Sequence, residues 1–161
     1  MQTLTKEENI SNEVNSFNKM IKDLSLQIKE WLNEKKELMK SEEKDFENFE
    51  EYSGNYKTKI YLFSSKSYST FSLKPYGIWI VGAKCGIHII GKSGKEYLVY
   101  MFKGGPSTQI SVKEGEKVIS QTNDSVYGNL SEGWYWLNQD FKKKPELLTK
   151  DLFFELLEII N

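Results

Sequence analysis

From Ile10 to Leu38 an apolar residue recurs at alternating steps of four and three, and few small chains can accommodate what that implies. The stripe runs Ile10, Val14, Phe17, Ile21, Leu24, Ile28, Trp31 and Leu38, with Lys35 at the one missed step. Such heptad spacing marks a helix with a narrow buried seam. Its start is written in Thr5-Lys6-Glu7-Glu8, a capping box in which the Thr5 hydroxyl accepts the Glu8 amide and the Glu8 carboxylate accepts the Thr5 amide. No proline or glycine follows until Gly54. The spacing predicts one helix over 6–39, then its continuation or a short second helix to about 51, where Phe46 and Phe49 sit on a displaced stripe.

A helix over 6–39 spans roughly 50 Å at ~1.5 Å per residue. A body built from the rest of the 161 residues has a radius of gyration of only about 13 Å. The helix must either bend around that body or pair with a second copy of itself. The expectation is a homodimer, with Val14, Phe17, Ile21, Leu24, Ile28, Trp31 and Leu38 in the seam.

Beyond Gly54 the period changes from helical to extended. Candidate strands are Tyr56–Phe63, Tyr68–Leu73, Gly77–Gly82, Ile87–Ile90, Glu96–Lys103, Gln109–Lys113 and Lys117–Gln121, separated by short polar or glycine turns. Links this short imply antiparallel pairing. The runs Ile78–Val81 and Tyr97–Phe102 are apolar on both faces, so the sheet there needs cover on both sides. Residues 122–133 read as a long loop. Leu148, Leu152, Leu156 and Ile160 mark a terminal helix. The expected fold is α+β: a long N-terminal heptad-patterned helix (1–51, a coiled-coil-like arm), then, over 52–161, an antiparallel meander of about six strands with a C-terminal helix packed on the sheet.

Composition narrows the chemistry. All 22 basic residues are lysine. Arginine is the usual residue for bidentate phosphate and guanine contacts, so sequence-specific nucleic-acid reading is not expected. Charge is divided: residues 1–51 hold 8 lysines and 13 acids, and residues 52–161 hold 14 lysines and 10 acids. One cysteine, no apolar run near the ~18 residues of a membrane helix, and no basic-then-apolar leader lead to the expectation of a cytoplasmic protein with no membrane partner.

Each candidate site has a plainer structural explanation. Gly86-Ile87-His88-Ile89-Ile90-Gly91-Lys92-Ser93 spells a phosphate loop, but its middle is strand-like and another strand follows, so it reads as a hairpin. Cys85 and His88 lie three apart on a strand and point to opposite faces, which separates a nucleophile from its base and leaves no metal set. Glu96, Glu114, Glu116, Asp124, Glu132 and Asp140 form no carboxylate–lysine arrangement on a strand. The remaining candidates are the loop Gly104, Gly105, Ser107, Thr108, whose glycines could form an amide nest or a simple turn, and the aromatic group Trp134, Tyr135, Trp136. No cofactor or metal is expected. The favoured function is a non-enzymatic binding or inhibitory protein working through protein–protein contacts, in the manner of a bacterial or phage immunity or anti-defence accessory. The rivals are a small nucleotide- or nucleic-acid-processing enzyme and a small-molecule binder.

Overall fold

A computed structural model of the chain describes residues 2–138 and 143–161, leaving aside the side chains of 108–110, 112 and 119–123. Helix α1 (Lys6–Glu34) opens on the capping box read from the sequence, with Thr5 and Glu8 exchanging both bonds at 2.8 and 3.2 Å. It stops earlier than 39. Lys36 adopts a left-handed conformation (φ 55°), its amide donates to Asn33 and the Glu37 amide donates to Leu32. This is a Schellman ending built on lysine where glycine is usual, so the sequence carries no stop signal.

The segment expected to continue as helix to about 51 is strand β1 (Leu38–Glu50), which pairs along its whole length with β2 (Gly54–Ser65) across a turn closed by Gly54 at φ 73°. β1 is an edge strand, and Glu42, Glu43, Lys44, Asp45 and Glu47 keep most of it solvated. Charges protect a free sheet edge from pairing with another chain, and they also erase the apolar alternation that would betray a strand.

β3 (Thr70–Gly77), β4 (Cys85–Ile90) and β5 (Lys95–Met101) continue the antiparallel meander. β6 (Ser107–Glu114) and β7 (Lys117–Ser125) leave it as a separate two-stranded sheet. The chain then returns as β8 (Gly133–Leu137) beside β5, followed by the short β9 (Glu146–Leu147), giving the order β1-β2-β3-β4-β5-β8-β9. Helix α2 (Lys150–Ile160), capped by Thr149, ends the fold. The structure is therefore α+β with an antiparallel sheet between an N-terminal and a C-terminal helix.

Two expectations over the middle of the chain change. The strand expected over Gly77–Gly82 is not formed: Gly77 ends β3, Ile78 and Trp79 give their amides to Glu50, and the chain turns through Gly82 at φ 83°. Residues 122–125, expected in a loop, extend β7.

One face of the sheet lies under both helices. Phe17, Ile21, Leu24, Ile28 and Leu32 of α1 and Leu152, Phe153, Leu156, Leu157 and Ile160 of α2 are buried with Phe63, Phe71, Leu73, Ile87, Ile89 and Leu98. Each such side chain contributes about 1.5–3 kcal/mol through burial. The heptad seam thus faces the chain's own sheet, with Val14 and Trp31 half-buried at its flank and Leu38 already in β1. Lys35, the polar interruption, lies over the Phe154 ring at 3.9 Å. On the other face, Val99, Met101 and Tyr135 form a smaller core under Ala83 and Leu130 from the connecting loops. The two-sided cover that Tyr97–Phe102 required is helices on one side and loops on the other.

Candidate functional site

A helix laid along a sheet leaves wedges at its flanks, and the more aromatic flank of α1 is the one facing β5, β8 and the loop 78–84. On that flank α1 presents Glu13, Ser16, Met20, Asp23, Gln27 and Trp31 at helical spacing. Two adjoining cavities of about 340 and 370 Å³ open there, and Met20 lines both. The first is floored by Phe17 and Cys85 and walled by Ile78, Trp79, Ile80 and Phe102. The second is walled by Tyr100, Trp134, Leu147 and Leu148. From Glu13 to Trp31 the groove follows α1 for roughly 27 Å at ~1.5 Å per residue.

Large side chains in this groove are only partly satisfied by packing. Met20, Trp31, Trp79, Tyr100 and Trp134 are half-buried, and Phe102 is 45% exposed. The tryptophans are steadied by neighbouring rings. Trp31 packs on Phe153 with ring centres 5.5 Å apart, Trp79 packs on Tyr52 and Tyr56, and Trp134 meets Tyr100 edge-on at 5.4 Å. Lys84, held by Glu132 at 3.0 Å, lies 5.7 and 5.5 Å above the rings of Tyr100 and Phe102. Burial pushes the Tyr100 phenol above its ordinary value and the Cys85 thiol up to about 12. Cys85 is therefore an inert floor to the groove.

The seven residues singled out in the sequence are not brought together. Trp134 lines the groove. Trp136 shares its sheet face but turns its indole N–H to Glu96 at 2.7 Å. Tyr135, between them on β8, points to the opposite face, where its hydroxyl donates to the Ser131 carbonyl at 3.0 Å. Gly104 and Gly105 adopt φ of 88° and 69°, but their amides donate to Leu130 and Phe102 carbonyls. Those donors are already engaged, as a turn requires. Ser107 opens β6 and is exposed; the Thr108 side chain lies outside the described residues.

The phosphate-loop string is the β4–β5 hairpin. Its turn serves α2: the Ser93 amide donates to the Ile160 carbonyl at 2.7 Å and the Lys92 amide to Asn161 Oδ1 at 3.1 Å. These amides satisfy carbonyls at a helix C-terminus, the electrostatic opposite of a phosphate cradle. Cys85 faces the helices and His88 the opposite side, in contact with Tyr76 and Tyr97. Among the described residues no three His, Cys, Asp or Glu side chains are grouped to hold a metal ion, and no helix is long and apolar enough to cross a membrane.

On the other flank of α1 a polar cavity of about 370 Å³ is lined by Asn18, Lys19, Lys22, Glu43, Lys57 and Lys59, among others. Lys59 and Glu43 are paired at 2.9 Å, which holds the carboxyl below and the ammonium above their ordinary ranges. Asn18 Nδ2 donates to the Lys57 carbonyl at 3.1 Å. The charged groups of this cavity are exposed, four lysines against Glu43 and Asp45, and beneath them Asn18 Oδ1 and Thr58 Oγ1 are buried without a hydrogen-bond partner among the described residues. No protein-family model, no curated protein and no solved structure matches this chain.

Proposed function

We propose that this chain is a non-enzymatic binding protein that holds a segment of a partner protein in the groove along α1. The observation that supports this reading is the row Met20, Trp31, Trp79, Tyr100 and Trp134, five large side chains left half-exposed along the two adjoining cavities, four of them on helix or strand and Trp79 on the loop held by Glu50. Aromatic residues supported from behind are the usual anchors of protein interfaces, and methionine adapts to varied apolar partners. A length of roughly 27 Å suits a helix of five turns or a shorter extended peptide. Glu13 and Asp23 on the helix rim favour a partner segment that carries lysine or arginine beside its apolar residues.

A second copy of this chain is one such partner, since Trp31 of the heptad pattern lines the groove and is only half-buried. The homodimer belongs to this reading. Sequestration of a partner, as by an immunity or anti-defence accessory protein, is the biological form that composition suggests, and the lone buried thiol suits a cytoplasmic setting.

The decisive experiment pairs light scattering after size exclusion with affinity capture, on the wild type and on Met20→Lys. Met20 is half-exposed, so this change leaves the core in place while putting a charge where both cavities meet. Loss of a dimer, or of a captured partner that wild type holds, supports the groove. Equal assembly and capture by both proteins overturns it.

A small-molecule ligand is a second reading, favoured by the size of each half of the groove, which lies within the range of ligand sites. Ligand-dependent quenching of tryptophan emission that disappears in Trp134→Ala separates it from the first.

A further inference from the structure

The smaller core covers only the β5–β8 end of the outer sheet face. Over β3 and β4 that face is left to side chains, and three of them form a ring cluster. Tyr76, His88 and Tyr97 are in mutual contact, with ring centres 5.1, 5.1 and 5.4 Å apart. The cluster is built in by backbone: a Cβ at Gly86 would stand 2.6 Å from the Tyr97 hydroxyl, so Tyr97 lies flat across the one residue that lets it. Tyr76 is 52% exposed at the top of the cluster. Beside it Lys74 pairs across the ladder with His88 and lies 5.2 Å above the Phe46 ring. Lys95 occupies an outward position on β5, two residues from Tyr97.

Burial, followed by the positive charges of Lys95 and Lys74, lowers the His88 pKa, so the imidazole is a neutral ring at physiological pH. The patch therefore combines the exposed ring of Tyr76, braced by the half-buried rings of His88 and Tyr97, with lysines at its borders. Glu42, at an outward position on β1, is paired with Lys40 at 3.4 Å. The whole segment 52–161 is positive, with 14 lysines against 10 acids.

We propose that this outer sheet face binds single-stranded nucleic acid without sequence preference, with bases stacking on Tyr76 and His88 and phosphates against Lys74 and Lys95. Every base offers a π-face, so stacking on open aromatic rings tolerates any sequence, and lysine neutralises phosphate as a point charge. Bases locked inside a duplex cannot stack on rings that lie within a sheet face. The absence of arginine, which argues against reading base edges, does not argue against this mode. An acidic peptide would match the lysines but would leave the ring faces without planar partners, which disfavours it.

The test is fluorescence anisotropy of fluorescein-labelled oligothymidylate at low salt, with a duplex of equal length and polyglutamate as competitors. Stacking on an aromatic side chain contributes enough that Tyr76→Ala should weaken binding roughly five- to a hundredfold. Tyr76→Leu, which keeps apolar cover but removes the ring, should weaken it as well and guards against a folding defect. Lys74→Glu should weaken binding and flatten its dependence on salt. The proposal is overturned if oligothymidylate does not bind, if both Tyr76 variants bind like wild type, or if duplex or polyglutamate displaces the oligonucleotide as efficiently as unlabelled single strand.

Discussion

The Glu50 carboxylate, at the end of β1, accepts the backbone amides of both Ile78 and Trp79, at 3.0–3.1 Å, and so ties the first hairpin to the loop that walls the groove. The Tyr56 hydroxyl adds a third donor at 2.6 Å. Gly77 makes the approach possible, since a Cβ there would lie 2.8 Å from the carboxylate. Burial, reinforced by the bond to Glu50, raises the Tyr56 pKa, so the phenol is a donor at neutral pH.

Glu50→Ala strands two amides and a phenol in a partly buried site. Each buried donor left without an acceptor costs about 1–3 kcal/mol, and solvent entry recovers some of that. A loss of about 3 kcal/mol in urea unfolding is expected, and about half that for Glu50→Gln, which keeps one acceptor oxygen. Groove binding should weaken in both, because Trp79 loses its anchor. A Glu50→Ala protein as stable as wild type would refute the latch.

Lys36 ends α1 in a left-handed conformation that costs an L-residue with a side chain about 1 kcal/mol more than glycine. Lys36→Gly is expected to raise stability by up to about 0.5 kcal/mol, after the greater backbone entropy of glycine in the unfolded chain is counted. Lys36→Ala should be close to neutral. A destabilised Lys36→Gly would mean that the Schellman ending is not the conformation α1 adopts in solution.

That helix end explains much of what was and was not legible in the sequence. The seam of α1 was readable because its period is local. What it packs on was not: Phe17, Ile21, Leu24 and Ile28 serve equally well against a second helix or against Phe63, Leu73 and Ile87 of a sheet. β1 was hidden because an edge strand solvated along most of its length shows charges where a strand usually alternates. The segment Gly77–Gly82 had the composition of a central strand, but beyond Gly77 its amides go to a carboxylate nearly thirty residues earlier and the chain turns at Gly82. The groove draws Met20, Trp79, Tyr100 and Trp134 from four distant segments. Of these only Trp134 stood out in the sequence, through its neighbours Tyr135 and Trp136, which the structure sends elsewhere.

His88 is the sole histidine, so its contribution to the pH dependence of stability can be isolated. Its pKa is lowered in the folded chain, chiefly by burial and then by Lys95 and Lys74. The unfolded chain therefore takes up a proton first as pH falls. The stability this neutral ring supports is full above the ordinary value of 6.5 and is lost as pH drops through it toward the lowered one. Between pH 7.5 and 5.5, wild type should lose more stability than His88→Gln in paired urea titrations. Equal losses would show that His88 titrates alike in both states.

Cys85 reports on the groove directly, because it floors the cavity that Phe17 closes from the helix side. The thiol is 1% exposed, and burial raises its pKa from the ordinary 9.0 to about 12. Thiol reagents attack the thiolate, whose population near neutral pH is then about a thousandfold below that of a free cysteine. Ellman's reagent at pH 8 should react with the native protein no faster than the chain opens, and promptly after unfolding in guanidinium. Phe17→Ala removes the ring beside the thiol and should cost about 3–5 kcal/mol in stability. Its native-state labelling should speed up by more than tenfold, through both the widened cavity and more frequent opening. A partner lodged in the groove should slow labelling of that variant again, which makes the thiol a probe of occupancy. Immediate stoichiometric labelling of the wild type would mean that α1 does not close over β4 as described, and the groove with it would have to be redrawn.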